Sequence, residues 1–168
     1  MDNGLSLADR CFTIGRMLHV QPTGEAVDAF LGVYPEFGPV DTEKLEQDYL
    51  RLFVGLGTPL APPWESAWAS DARLLFQRET LDVRYWYRSA GLEISGLHAE
   101  PDDHIGLELE FIGRLLEQGD TEAAERFAAE HPRAWASRWC DAVQQHATLP
   151  FYPLLAQEAC TLLSLQPN

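Results

Sequence analysis

Apolar residues recur at helical spacing in almost every segment of this chain, and strand-like alternation is absent from it. Leu7, Cys11, Ile14 and Leu18 share one face of a helix. Leu45, Tyr49, Leu52 and Phe53 repeat at i, i+4, i+7 and i+8. Each such stretch must bury its apolar stripe against another helix. The expected class is therefore all-α: one domain over residues 1–168, a bundle of about eight to ten helices with long proline-rich and acidic loops. A chain of this size buries roughly 70% of its unfolded surface, so no disulfide or structural metal is required.

Capping residues mark the helix ends. Gln21-Pro22-Thr23-Gly24 stops the first helix, and Thr23 can cap a second one through Leu31. Asp41 or Thr42 caps the third. Asp71 to Phe76 reads as helix, as does Thr80 onward to Gly91. Pro101 fits the first turn of a long helix ending at Gly119, with Asp102 and Asp103 at its positive end. Asp120 caps the next, which stops at His131-Pro132. Helices from about Arg133 to His146 and from Phe151 to Leu165 complete the chain.

Two connections break this texture. Gly55 to Pro63 reads Gly-Leu-Gly-Thr-Pro-Leu-Ala-Pro-Pro, with Trp64 and Trp68 directly after it. It cannot be regular helix, and it is unusually apolar for a loop. Long loops in compact domains tend to be functional. The second connection, Leu92 to Glu100, is acidic. Between Arg88 and Arg114 there is no Lys or Arg, only Glu93, Glu100, Asp102, Asp103, Glu108 and Glu110 as charged residues.

Twelve basic against 26 acidic residues leave a net charge of −14. This disfavours binding to nucleic acid or to anionic lipid and favours a cationic partner. No stretch approaches the ~20 apolar residues of a membrane span. Met1 to Leu5 lacks a basic region, and Arg10 and Arg16 interrupt the first apolar segment. Neither a signal peptide nor membrane insertion is expected, and the location is expected to be cytoplasmic. Cys11, Cys140 and Cys160 form no C-x-x-C pair and read as buried free thiols in a reducing compartment.

On a helical wheel, Ile105, Leu107, Leu109, Phe111, Ile112, Leu115 and Leu116 cover one broad face. Asp102, Gly106, Glu110, Gly113 and Glu117 lie opposite, toward water. Glu108 falls within the apolar face with His104 one turn earlier. A buried polar pair, His104–Glu108, is expected, or other partners that satisfy both groups. A metal set of His98, His104 and Glu108 lacks the spacing of a zinc site, so no metal is expected. There is no phosphate loop, nucleotide fingerprint or nucleophile elbow, hence no catalytic residue, no cofactor and no enzyme. The acidic stretch reads either as a solvated face or as a dock for arginine. Carboxylates grip guanidinium bidentately, and Trp64 and Trp68 could add cation–π attraction if the two loops converge.

Several motifs, taken in order, resemble the TorD/DmsD/NarJ superfamily of redox-enzyme maturation chaperones. They are Tyr49-x-x-Leu52-Phe53-Val54-Gly55, Pro62-Pro63-Trp64-Glu65-Ser66-x-Trp68, Glu100-Pro101-Asp102-Asp103-His104-Ile105-Gly106-Leu107-Glu108-Leu109, His131-Pro132-x-x-Trp135 and Phe151-Tyr152-x-x-Leu155-Ala156. The resemblance implies an all-helical cytoplasmic chaperone. Its partner would be the apo catalytic subunit of a molybdenum-cofactor oxidoreductase, its twin-arginine leader, or both. It would assist cofactor insertion and prevent premature export, as a monomer or a homodimer, helix-exchanged in some relatives. Carried over by position, the client-binding residues are Tyr49, Phe53, Pro62, Pro63, Trp64, Trp68, Asp102 or Asp103, and His104. Leu56 and Leu60 of the apolar loop and Glu100 of the acidic one join them from the residue reading. Arg133 departs from the pattern, standing where an apolar residue is common. The alternative is a general chaperone or assembly factor of the same fold whose client has no such leader. Exposed ion pairs give only ~0–1 kcal/mol each, whereas a micromolar complex needs about −8 kcal/mol. Tryptophan and leucine anchors are therefore expected to supply affinity, and carboxylates the preference for arginine.

Overall fold

The computed structural model describes residues 4–55, 57–92 and 101–164. Nine α-helices follow one another among these residues: α1 (Leu7–His19), α2 (Gly24–Val33), α3 (Thr42–Tyr49), α4 (Ser66–Ala69), α5 (Arg78–Ser89), α6 (Ile105–Glu117), α7 (Thr121–Glu130), α8 (Pro132–His146) and α9 (Phe151–Ser164). A π-helical turn, Leu50–Val54, continues α3. The expected all-α class is what forms. The one strand-like pairing among the described residues is an isolated antiparallel bridge between Trp64 and His104.

Local chemistry sets most of the helix starts. Ser6 and Asp9 form a reciprocal capping box on α1. Thr23, Asp41 and Asp120 accept from the backbone N–H groups of Ala26, Lys44 and Ala123. Gly119 follows α6 in the left-handed conformation, φ +79°.

The helix α6 lies at the centre, packed against α1, α7 and α8. Its buried residues include Gly106 and Gly113, which the wheel turned toward water, and Glu110 on that side is half-buried. The reason is a backbone crossing with α1. A Cβ placed on Gly106 would lie 2.5 Å from the Gly15 carbonyl oxygen, and one on Gly15 would lie 2.6 Å from the Gly106 oxygen. Two side-chain-free positions thus let the helices touch through their backbones. Glycine carries no hydrophobicity signal, so the wheel misread a contact face as a wet one.

Two boundaries also differ from expectation. Residues 71–76 are not helical. The single turn α4 ends before them at Ala69, and the chain passes through left-handed backbone at Arg73 (φ +48°) and Phe76 (φ +56°), which helix cannot accommodate. The long helix starts at Ile105 rather than Pro101, because His104 serves as its N-cap.

At the far side, Asp48 of α3 is fully buried and secures the turn between α8 and α9. Its carboxylate accepts from Thr148 N (3.0 and 3.1 Å), the Thr148 hydroxyl (3.0 Å), Leu149 N (3.2 Å) and Arg51 (2.9 Å). No helix among the described residues is long and apolar enough to cross a membrane.

Candidate functional site

The end of the proline-rich loop meets the Asp103–Ile105 helix start, whereas residues 93–100 of the acidic connection lie outside the described residues. Ile105 N donates to the Pro63 carbonyl (2.8 Å), and Glu65 N donates to the Asp103 carbonyl (3.0 Å). The Trp64 ring meets the His104 ring edge-on at 5.7 Å, and His19 of α1 meets His104 at 5.0 Å. The proline-rich loop is held from within. Trp68 Nε1 donates to the Pro62 carbonyl (2.8 Å), and Ala61 N to the Leu52 carbonyl (2.8 Å). Arg73 sits over the Trp68 ring, 4.9 Å from its centre.

The acidic residues of this junction already have internal partners. Asp102, Asp103 and His104 are only 4%, 0% and 3% exposed. Asp102 grips Arg84 of α5 through Nε (2.6 Å) and Nη2 (3.3 Å), and its carbonyl accepts from the Tyr87 hydroxyl (3.0 Å). Asp103 accepts from Ser66 N (2.6 Å) and from the Thr80 hydroxyl (2.8 Å). Asp103 takes the first N–H of α4, and the two carboxylates tie α5 to the start of α6. Pairing with Asp102 also raises the Arg84 guanidinium, which stays charged.

His104 and Glu108 are both buried, but no hydrogen bond joins them. His104 Nδ1 accepts from Gly106 N (3.0 Å), so its ring closes the first turn of its own helix. Glu108 instead faces Glu65, Asp103 and the Trp135 indole. Burial, then the charges of Glu65 and Asp103, push its carboxyl well above the usual range. Glu65 in turn contacts His131 Nδ1 at 3.0 Å, with both side chains buried. Sequence reasoning missed this Glu65–Glu108–His131 cluster, since nothing in the spacing shows that three separated elements converge.

The aromatic motifs also converge, and mostly in the core. Phe53 is buried between Trp139 (6.2 Å) and Tyr152 (5.0 Å), while half-buried Tyr49 lies 5.7 Å from Phe53 and 6.2 Å from Tyr152. Pro62 and Pro63 are buried; Leu60, Trp64 and Trp68 are half-buried. Leu56 and Glu100 lie outside the described residues.

A different set of apolar residues faces solvent. Leu74 and Phe76 are each 54% exposed, Leu81 60% and Tyr85 74%. Leu81 and Tyr85 stand one turn apart on the outer side of α5, directly after the left-handed turn that carries Leu74 and Phe76. The helix expected over 71–76 hid Leu74 and Phe76, because a helical reading assigns such residues to a packed face. The i, i+4 spacing of Leu81 and Tyr85 on a segment otherwise rich in charge was the available signal. A groove of about 640 Å³ between α1 and α2 is lined by Phe12, Met17 and Phe30 among others and includes none of the predicted residues. Among the described residues, no group of three or more His, Cys, Asp or Glu is arranged to hold a metal ion.

Residues 20–141 match the family described as nitrate reductase delta subunit. The chain belongs to this family. It is therefore a member of the TorD/DmsD/NarJ superfamily that its motifs resemble. A Tat proofreading chaperone DmsD from Salmonella paratyphi A is 38% identical over 117 residues, covering 70% of this chain and 57% of that protein. The chain thus spans less than two thirds of that relative's length. The chaperone protein TorD of Aliivibrio salmonicida is 23% identical over 165 residues, 89% of this chain and 77% of its own. A crystal structure from Archaeoglobus fulgidus, provisionally assigned as a redox enzyme maturation protein, superposes with a TM-score of 0.70. It covers 96% of each chain at 20% identity, a likeness of fold. The delta-subunit family match covers the Trp64–Asp103 junction and the exposed segment beside it.

Proposed function

We propose that this chain is a cytoplasmic maturation chaperone. Its client is the apo catalytic subunit of a molybdenum-cofactor oxidoreductase, engaged through that subunit's twin-arginine leader. Relatives named Tat proofreading chaperone and chaperone protein TorD support the class of activity. One structural observation carries the site: Leu74, Phe76, Leu81 and Tyr85 are exposed on a chain of net charge −14. A leader that offers two guanidinium groups followed by an apolar segment matches both properties.

In this reading, the Trp64–Asp103 junction is the frame. It sets the position of α5 through Thr80 and Arg84, and α5 presents the apolar contact. Buried apolar area then supplies most of the affinity. The leader's arginines meet solvent-exposed carboxylates, where each ion pair adds only ~0–1 kcal/mol. Calorimetric titration with a synthetic twin-arginine leader tests the proposal. Binding should survive replacement of both arginines by lysine with modest loss, and should collapse when the apolar segment is replaced by serines. Failure of the intact leader to bind would overturn it.

A further inference from the structure

Two of the three cysteines sit together rather than apart. Cys140 lies on α8 and Cys160 on α9, consecutive helices packed against each other. The Cys160 thiol donates to the Ala136 carbonyl at 3.6 Å. Ala136 is one turn before Cys140, so the Cys160 sulfur lies against the face of α8 that carries Cys140. Both residues are half-buried and free, whereas Cys11 is enclosed in the core.

We propose that Cys140 and Cys160 are a redox modification site: a dithiol that glutathione disulfide, or another small disulfide, converts to a reversible crosslink stapling α8 to α9.

The environment assigns different roles to the two thiols. The adjacent Cys160 thiol is the main cause that brings the Cys140 thiol down to about 7, with help from Gln144 and against burial and Asp141. The same contact, burial and the Asp141 charge raise Cys160. Burial pushes Cys11 up to about 12. Cys140 is therefore the attacking group and Cys160 the resolving one, while Cys11 stays inert. The Cys140 thiolate attacks one sulfur of glutathione disulfide. A Cys140–glutathione bond forms, and one glutathione thiolate leaves to take up a proton. Cys140 now bears no charge, so the neighbouring negative charge that opposed ionisation of Cys160 is gone. Cys160 loses its proton and attacks the Cys140 sulfur, displacing the second glutathione. Two electrons have passed from the cysteine pair to glutathione disulfide, giving two glutathione thiols and one protein disulfide.

The test incubates the reduced full chain with glutathione disulfide and reads intact mass, then maps peptides. The wild type should lose two hydrogens and yield a linked Cys140–Cys160 peptide, with Cys11 alkylated only after unfolding. The Cys160→Ser variant should stop at one glutathionyl group on Cys140. The Cys140→Ser variant should react about tenfold more slowly or worse, since the low-lying thiol is gone. The Cys140 alkylation rate should rise through a midpoint near pH 7. Wild-type protein that stays reduced, or that stops at the mixed disulfide, would overturn the assignment.

Discussion

The Trp64–Asp103 junction and the segment from Leu74 to Tyr85 lie next to each other in the chain, and they treat their chemistry in opposite ways. The junction gathers prolines, tryptophan, two aspartates and histidine, and its Asp102, Asp103 and His104 side chains are held by Arg84, by Ser66 and Thr80, and by Gly106. The neighbouring segment has an undistinguished sequence and leaves four large apolar side chains in water. A conspicuous motif can thus be a fastening, and the surface it positions can be plain. For the proposed chaperone role this division is physically sensible. A buried, hydrogen-bonded frame keeps its shape when a proposed client leaves, and an exposed apolar strip can bind and release.

The comparison breaks most visibly at Asp103. Asp103→Ala strands the Ser66 N–H and the Thr80 hydroxyl without their acceptor, and each buried orphan costs about 1–3 kcal/mol. A loss of about 3 kcal/mol in urea unfolding is expected, together with weaker leader binding as α5 detaches. Next in size is Gly106→Ala. The added methyl would press on the Gly15 carbonyl and force α1 from α6, at a cost of about 1–3 kcal/mol by the same assay.

A smaller, pH-dependent effect is expected at Glu108. Its folded carboxyl ionises well above the ordinary 4.5, so the folded state holds a proton that the unfolded chain releases. The stabilisation from that proton is complete below pH 4.5 and declines as pH rises toward the folded value. Glu108→Gln keeps a neutral group there at every pH. Measured from pH 5 to 8, the wild type should lose stability relative to this variant, and the gap should widen with pH. Smallest in stability terms is Leu81→Ser with Tyr85→Ser. These side chains face water, so unfolding should shift by less than about 0.5 kcal/mol each.

Much of the fold was legible in the sequence, because helix caps and 3.6-residue periodicity are local. Ser6 was not singled out, but Thr23, Asp41 and Asp120 were read correctly as start signals. The approach of Trp64 to the Asp103–His104 helix start was also expected, and the Trp64–His104 bridge realises it. What stayed hidden depends on distant partners. Asp48 looks like one more surface acid until Thr148 arrives from 100 residues away. Asp102 looks like a dock for a foreign arginine until Arg84 occupies it. Gly15 and Gly106 contribute by lacking bulk, which a hydrophobicity pattern cannot register. The segment 71–76 was misread because its apolar spacing fits a helix, whereas Arg73 and Phe76 adopt left-handed backbone.

Which of the two neighbouring regions meets the proposed client is the central question. Calorimetric affinity of a twin-arginine leader for the Leu81→Ser/Tyr85→Ser variant, set beside its urea midpoint, decides it. The prediction is a loss of about tenfold or more in affinity, about 1.4 kcal/mol, with the midpoint unchanged. Wild-type affinity in that variant would contradict it.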